Sequence, residues 1–160
     1  MSVGRIANRY AKPLLELAED KKVLEQVKED METFNSLCKE NREFLLMLRS
    51  PIIPHLKKAE ILKDIFEGKT NKLTMSAFDI ITRKNRENML PEISGEFIRL
   101  YNEKMGYQEA VVTTTFPIDD QFRKSFQRIV KEVTGSEAVL NEEVDPSILG
   151  GYILRMGDYK

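Results

Sequence analysis

The spacing of apolar residues over the first two-thirds of the chain predicts a series of helices. Apolar side chains recur every three or four residues between polar ones, which is typical of helices that bury one face. Pro51 and Pro54 predict a turn, because each proline disfavours helix in the residue before it. Gly68 and Gly106 stand where helices are expected to end. The predicted helices cover about residues 3–20, 21–39, 44–48, 55–67, 71–84 and 87–105.

The first predicted helix has apolar residues on two sides. One stripe holds Ile6, Tyr10, Leu14 and Leu17, and the other holds Val3, Ala7, Ala11 and Ala18. A helix in a small bundle needs only one stripe to face the core. The stripe of small residues is therefore equally compatible with docking of a partner helix and with burial of the helix on most of its sides.

The pattern also predicts which side chains of two further helices are buried. On the fourth, the pattern places Leu56, Ala59, Leu62, Ile65 and Phe66 inward and leaves Lys57, Lys58 and Lys63 on a solvated face. On a later helix, capped by Asp119 or Asp120 and ending at Gly135, it places Phe122, Phe126, Ile129, Val130 and Val133 inward.

The pattern changes after Gly106, where β-branched and aromatic residues become frequent. Residues 107–116, 137–144 and 152–156 are predicted strands. The fold class is therefore α+β and predominantly α. We expect an N-terminal six-helix bundle over residues 1–105, followed by a small β-α-β-β unit over residues 106–160.

Composition narrows the classes of function. The chain has 160 residues, of which 41% are hydrophobic and 32% charged, with a formal net charge of -1. Such a balance argues against a strong nucleic-acid binder and against a polybasic membrane anchor. No apolar stretch approaches the roughly 18 residues that a membrane-spanning helix needs. We expect a cytoplasmic soluble protein that reaches a membrane only through a partner.

Candidate catalytic chemistry is sparse. His55, the single histidine, lies beside a predicted turn, and Cys38, the single cysteine, lies on the apolar stripe of the second helix. No second His or Cys stands at metal-ligand spacing, and Gly150-Gly151 lacks the surroundings of a phosphate-binding loop. Arg83, Lys84 and Arg86 end a helix, where cations complement its dipole. We therefore expect no catalytic residue, no cofactor and no metal.

Several strings along the chain together resemble one family. They are Arg9-Tyr10-Ala11-Lys12 with the following leucines, Leu48-Arg49-Ser50-Pro51 with Lys57 and Ile61-Leu62, Asn85-Arg86 with Leu90-Pro91-Glu92-Ile93 and Phe97, the strand from Ala110 to Pro117, and Asp145 to Tyr152 with Gly157-Asp158. In this order and spacing the chain resembles the delta subunit of F-type ATP synthase, whose mitochondrial counterpart is the oligomycin-sensitivity-conferring protein.

The resemblance implies a non-catalytic stator subunit that connects the catalytic head to the peripheral stalk, at the cytoplasmic face of the bacterial plasma membrane. It implies that the bundle holds the N-terminal helix of an alpha subunit in a groove between helices one and five. It also implies that the C-terminal unit contacts the C-terminal helices of the b subunits. Carried onto this sequence, the groove comprises Ile6, Tyr10, Leu14, Ala77, Ile80, Ile81 and Lys84.

Two features depart from the family pattern. Pro13 stands where a helix former is usual, so the first helix is expected either to kink there or to begin later. The family usually continues past Gly157-Asp158 with a further strand and a last helix, so the C-terminal unit is expected to be incomplete and less ordered than the bundle.

Two alternatives remain open from the sequence. One is a helical adaptor or regulatory domain unrelated to ATP synthase. The other is a nucleic-acid-binding protein that uses Arg123, Lys124, Arg128 and Lys131 on the late helix, although the near-neutral net charge disfavours it.

Overall fold

The computed structural model describes residues 2–157. Over these residues the protein is mostly helical, with one small sheet. The helices are α1 (Val3–Asp20), α2 (Leu24–Glu40), α3 (Arg42–Arg49), α4 (His55–Phe66), α5 (Lys72–Arg83), α6 (Leu90–Lys104) and α7 (Asp120–Thr134). A 3-10 turn, Glu87–Met89, precedes α6, and the strands are β1 (Gln108–Thr114), β2 (Ala138–Val144) and β3 (Tyr152–Met156). The chain forms two compact units that divide between Tyr101 and Asn102.

Local capping explains where several helices begin and end. The side chains of Asn41, Asn71 and Asp119 accept hydrogen bonds from backbone N–H groups in the first turns of α3, α5 and α7. These bonds satisfy donors that have no partner within the helix. Gly135 ends α7 with φ +76°, a left-handed conformation that glycine adopts without a steric penalty. The predicted bounds of α7 are thus set by residues readable in the sequence.

The core of the first unit is centred on Phe34 of α2. Its ring lies 5.8 Å from that of Phe44, 5.7 Å from that of Phe66 and 5.1 Å from that of Phe78, between ring centroids. These distances are typical of favourable aromatic pairs. The four rings come from α2, α3, α4 and α5, so one cluster joins four helices.

The structure decides between the two interpretations of the small-residue stripe on α1. Ala7, Ala11 and Ala18, the alanine seam, are 2%, 0% and 0% exposed and belong to the core, whereas Leu17 is 41% exposed. Small side chains let helix backbones approach closely, which favours this face at a packed interface. The hypothesis that the small-residue stripe receives a partner helix is therefore wrong.

Pro13 lies inside α1, which is continuous from Val3 to Asp20. The alternative that the helix begins later than predicted is therefore wrong. Proline has no backbone N–H, so it leaves the carbonyl of Arg9 without its usual helical donor. The Pro13 side chain is exposed, which keeps its ring out of the core.

Helix α4 also differs from its prediction. Leu56, expected inward, is 65% exposed, and Lys58, expected in solvent, is 3% exposed. The Nζ of Lys58 donates to the carbonyl of Leu48 (2.9 Å) and to Oε1 of Glu87 (2.8 Å). These two partners make the burial of the ammonium possible, because a buried charge requires a paired and hydrogen-bonded environment.

In the second unit, the sheet has the strand order β2-β1-β3. Strand β1 pairs in parallel with β2 and antiparallel with β3. The parallel pair requires a crossover connection, which α7 supplies. Ala110, Val130 and Met156 form the buried centre of this unit.

Two residues of α7 contradict their predicted burial. Phe122 is 50% exposed and Val133 is 57% exposed, although both were expected inward. They lie in the first and last turns of the helix. The sheet offers only a short surface, and the buried contacts are made by Phe126 and Val130 nearer the middle of the helix.

Candidate functional site

A cleft on the first unit lies between α1 and the segment that follows α5. It is lined by Ile6, Arg9, Tyr10, Lys84 and Arg86 and has a volume of about 670 Å³. Ile6 and Tyr10 are half-buried, whereas the three cations are exposed. The cleft therefore combines an apolar floor with a cationic rim.

The predicted groove residues divide between this cleft and the core. Ile6, Tyr10 and Lys84 line the cleft together, and Ile80, one turn before Lys84, is 52% exposed. Ala77 is half-buried and packs against the core.

The other two predicted groove residues are core residues. Leu14 is 7% exposed and Ile81 is 3% exposed. Both side chains belong to the hydrophobic core, where they pack α1 and α5 into the first unit.

Arg9 and Arg86 were not among the predicted groove residues. Both occur in the strings that carry the family resemblance, Arg9-Tyr10-Ala11-Lys12 and Asn85-Arg86. The groove carried over from the resemblance consists of residues that share one face of each helix, and it includes neither arginine. Arg86 lies beyond the end of α5, so helical periodicity does not find it.

The charge on the cleft is not neutralised within the described part of the chain. Arg83 pairs with Asp79 at 3.0 Å. Over residues 2–157, by contrast, no carboxylate lies within ion-pair distance of Arg9, Lys84 or Arg86. The dipole of α5 accounts for cations at its C-terminus but not for Arg9, which lies within α1.

A contact with α4 fixes the position of the segment that carries Lys84 and Arg86. Asn85, between them, has φ +55°, a left-handed conformation that asparagine tolerates better than most residues. Glu87 follows and makes the buried ion pair with Lys58. The ion pair therefore anchors one side of the cleft to α4.

Cys38, the single cysteine of the chain, is buried in the first unit. Burial raises the pKa of the Cys38 thiol to about 11, which disfavours the nucleophilic thiolate. Within residues 2–157, no three His, Cys, Asp or Glu side chains are grouped closely enough to hold a metal ion. None of the described helices has the length and apolar character that crossing a membrane demands.

The cations of α7 are partly neutralised. Arg123 pairs with Asp120 and Glu142, and hydrogen bonding to the Glu142 carboxylate raises the pKa of Arg123. Lys131 pairs with Glu137. Two of the four cations considered for nucleic-acid binding thus have carboxylate partners.

Comparison with known proteins identifies the family. Residues 6–160 match the ATP synthase delta (OSCP) subunit family. A protein named ATP synthase subunit delta from Cytophaga hutchinsonii is 41% identical over 158 residues, which cover 99% of this chain and 86% of that protein. One of the same name from Christiangramia forsetii is 39% identical over 154 residues, covering 96% and 83%.

A solved structure agrees with these sequence matches. A chain in the cryo-EM structure of the Toxoplasma gondii mitochondrial ATP synthase hexamer is similar to this chain with a TM-score of 0.73 and 26% sequence identity. The match covers 95% of this chain and 86% of that chain. The chain described here therefore belongs to the ATP synthase delta (OSCP) subunit family.

Proposed function

We propose that the chain is a non-catalytic stator subunit of F-type ATP synthase that connects the catalytic head to the peripheral stalk. Family membership over nearly the whole sequence supports this role. Its task is mechanical, since a stator must hold the head against torque. Buried contacts suit that task better than a catalytic cleft does.

Within this role, the first unit holds the N-terminal helix of an alpha subunit. The observation that carries the assignment is the cleft where Ile6 and Tyr10 of α1 face Lys84, with exposed Ile80 one turn away on α5. An amphipathic helix that lays its apolar face into such a groove buries area from both partners. At about 25 cal/mol per Å² of apolar surface, the contact supplies several kcal/mol after ordering costs.

The alpha-subunit contact lies in a six-helix bundle of residues 1–105, and the stalk contact lies in residues 106–160. The second unit contacts the C-terminal helices of the b subunits. Phe116, Phe122 and Tyr152 support this, because each is at least half exposed and aromatic side chains are enriched at protein interfaces. The subunit is peripheral at the cytoplasmic face of the bacterial plasma membrane and reaches the membrane through its partners alone.

Titration with a synthetic peptide of the alpha-subunit N-terminus tests the groove. We expect Ile80→Asp to weaken binding at least about tenfold, because a charge replaces an apolar side chain that becomes desolvated in the complex. Leu46→Asp on α3 is the matched control, since Leu46 is 53% exposed and Ile80 is 52% exposed. Circular dichroism is expected to stay helical for both variants.

The outcomes separate the alternatives. Unchanged affinity of the Ile80→Asp variant, or an equal loss for Leu46→Asp, places the binding surface elsewhere. No binding of the peptide to the unmodified protein at micromolar concentrations would favour a helical adaptor with a different partner.

A further inference from the structure

We propose that the cleft selects its ligand through carboxylates, so that the docking segment is an acidic amphipathic helix with Asp or Glu side chains beside its apolar face. The proposal rests on the alpha-subunit groove proposed above and adds the chemistry by which that groove recognises its occupant. Its basis is the set of three cations, Arg9, Lys84 and Arg86, here called the cationic rim.

The cationic rim is distinguished by the grouping of its three cations at one cleft. Several cations elsewhere on these helices have carboxylate partners, as in Lys28 with Glu32, Arg49 with Glu92, Lys57 with Glu60, Lys63 with Glu67, and Arg83 with Asp79. Three cations converge on one cleft whose described lining residues include no carboxylate. A ligand that brings carboxylates to this position relieves their mutual repulsion and gains charge-assisted hydrogen bonds.

The nearest acidic side chain in sequence is already engaged. Glu87 follows Arg86 directly, but its Oε1 accepts from Lys58 at 2.8 Å, and its side chain is 8% exposed. Its Oε1 oxygen is therefore engaged by Lys58 and not by a cation of the cleft. The charge of the cleft is consequently presented to a partner.

The arrangement of the cationic rim also indicates where the carboxylates lie. Arg9 belongs to α1, as do Ile6 and Tyr10, whereas Lys84 and Arg86 belong to the segment after α5, so both walls of the cleft contribute cations. A helix that rests Leu- or Ile-type side chains on Ile6 and Tyr10 presents residues three or four positions away to each flank. The apolar floor favours such a helix over a nucleic acid, whose backbone would meet Ile6 and Tyr10 with phosphates.

The test compares two peptides on the full chain. One is the N-terminal segment of the cognate alpha subunit, roughly 20 residues or 30 Å as a helix. The other is the same peptide with every Asp and Glu replaced by Asn and Gln. We expect the neutralised peptide to bind about tenfold more weakly, since each partly exposed ion pair contributes a few-fold in affinity.

Salt dependence is a second readout. Raising the salt from about 0.05 M to about 0.5 M shortens the screening length to a few ångströms. It is expected to weaken binding of the parent peptide and to leave the neutralised peptide nearly unaffected. Circular dichroism of both peptides checks that neutralisation has not changed their helical propensity.

Variants of the protein locate the effect. The triple variant Arg9→Gln, Lys84→Gln, Arg86→Gln is expected to bind both peptides equally weakly. The control variant Lys69→Gln, Lys124→Gln, Arg128→Gln loses the same charge from exposed positions outside the cleft and is expected to keep the tenfold preference. This control excludes an effect of net charge alone.

The remaining outcomes would each overturn a different part of the proposal. If both peptides bind equally well to the unmodified protein, carboxylate selection is wrong while the groove itself stands. If neither binds, the alpha-subunit groove is wrong and the selection fails with it. If a single-stranded DNA oligonucleotide binds as tightly as the parent peptide, the cationic rim is a general polyanion site and the proposal is overturned.

Discussion

The buried ion pair between Lys58 and Glu87 provides a sharp test of how the first unit is stabilised. The side chains are 4% and 8% exposed, and the Nζ–Oε1 distance is 2.8 Å. Replacing Lys58 with Met keeps much of the apolar stem but removes the donor to both Glu87 and the Leu48 carbonyl. The second carboxylate oxygen of Glu87 already has no hydrogen-bond partner among the described residues, so the variant leaves a buried carboxylate without any.

The expected loss of stability depends on whether one partner of the buried ion pair is removed or both partners are replaced. Removing one partner of a buried ion pair costs about 3–5 kcal/mol, whereas replacing both by apolar residues is often neutral or stabilising. We therefore expect Lys58→Met to lower the free energy of unfolding by about 3–5 kcal/mol. The double variant Lys58→Met, Glu87→Leu is expected to recover most of that loss.

Urea denaturation followed by circular dichroism measures these differences. Lys57→Met is the matched control, because the neighbouring Lys57 side chain is 63% exposed and pairs with Glu60 on the surface. Its expected cost is below about 1 kcal/mol. The reasoning is refuted if Lys58→Met costs no more than Lys57→Met, or if the double variant is as unstable as the single one.

Three further predictions concern other positions. Because burial raises the pKa of Cys38 to about 11, we expect iodoacetamide to leave this thiol unmodified at pH 8 until urea unfolds the protein, and rapid alkylation of the folded chain would contradict this. Hydrogen bonds from Arg99 lower the pKa of Glu96, against the effect of burial. The contribution of Glu96 to the free energy of unfolding is therefore present above the ordinary Glu pKa and is lost as the pH falls through the lowered pKa. Glu96→Gln should therefore cost about 1 kcal/mol at pH 7 and progressively less in acid, as measured by urea titrations across pH, and a pH-independent difference would argue against this. Asp119→Ala removes the cap of Phe122 N–H at 2.9 Å and should destabilise α7 by about 1 kcal/mol, seen as faster amide exchange in its first turn, with unchanged exchange as the contrary result.

Much of the helical and strand pattern was readable because local chemistry sets it. The predicted strand 152–156 coincides with β3, and α7 begins after an Asp and ends at a Gly as expected. Capping side chains and glycine conformations act within a few residues. These local signals can therefore be read from the sequence without knowledge of the tertiary structure.

Burial was harder to predict where tertiary packing decides it. Helix α1 offers apolar residues on two faces, and periodicity alone does not say which face is covered. The buried position of Lys58 depends on Glu87, 29 residues further on. No local pattern connects these two residues, so a lysine on a helix is assigned to solvent by default.

The cleft was predictable only in part for the same reason. Tyr10 and Lys84 were found through the family resemblance, and both line it. Leu14 and Ile81 share a helical face with groove residues but are turned into the core. Helical spacing groups residues that lie near one another on a helix, yet it does not separate the contact face from the face beside it.

The alanine seam packs α1 directly against the core of the first unit. Alanine has no rotamers, so no flexible side chain lies between the α1 backbone and the core at Ala7, Ala11 and Ala18. Close-packed protein interiors have low compressibility, and a sideways pull on Tyr10 is therefore passed to the interior with little elastic give. On the proposal that a partner helix binds at Tyr10, the small alanine side chains limit how far that contact can shift when torque loads the stator.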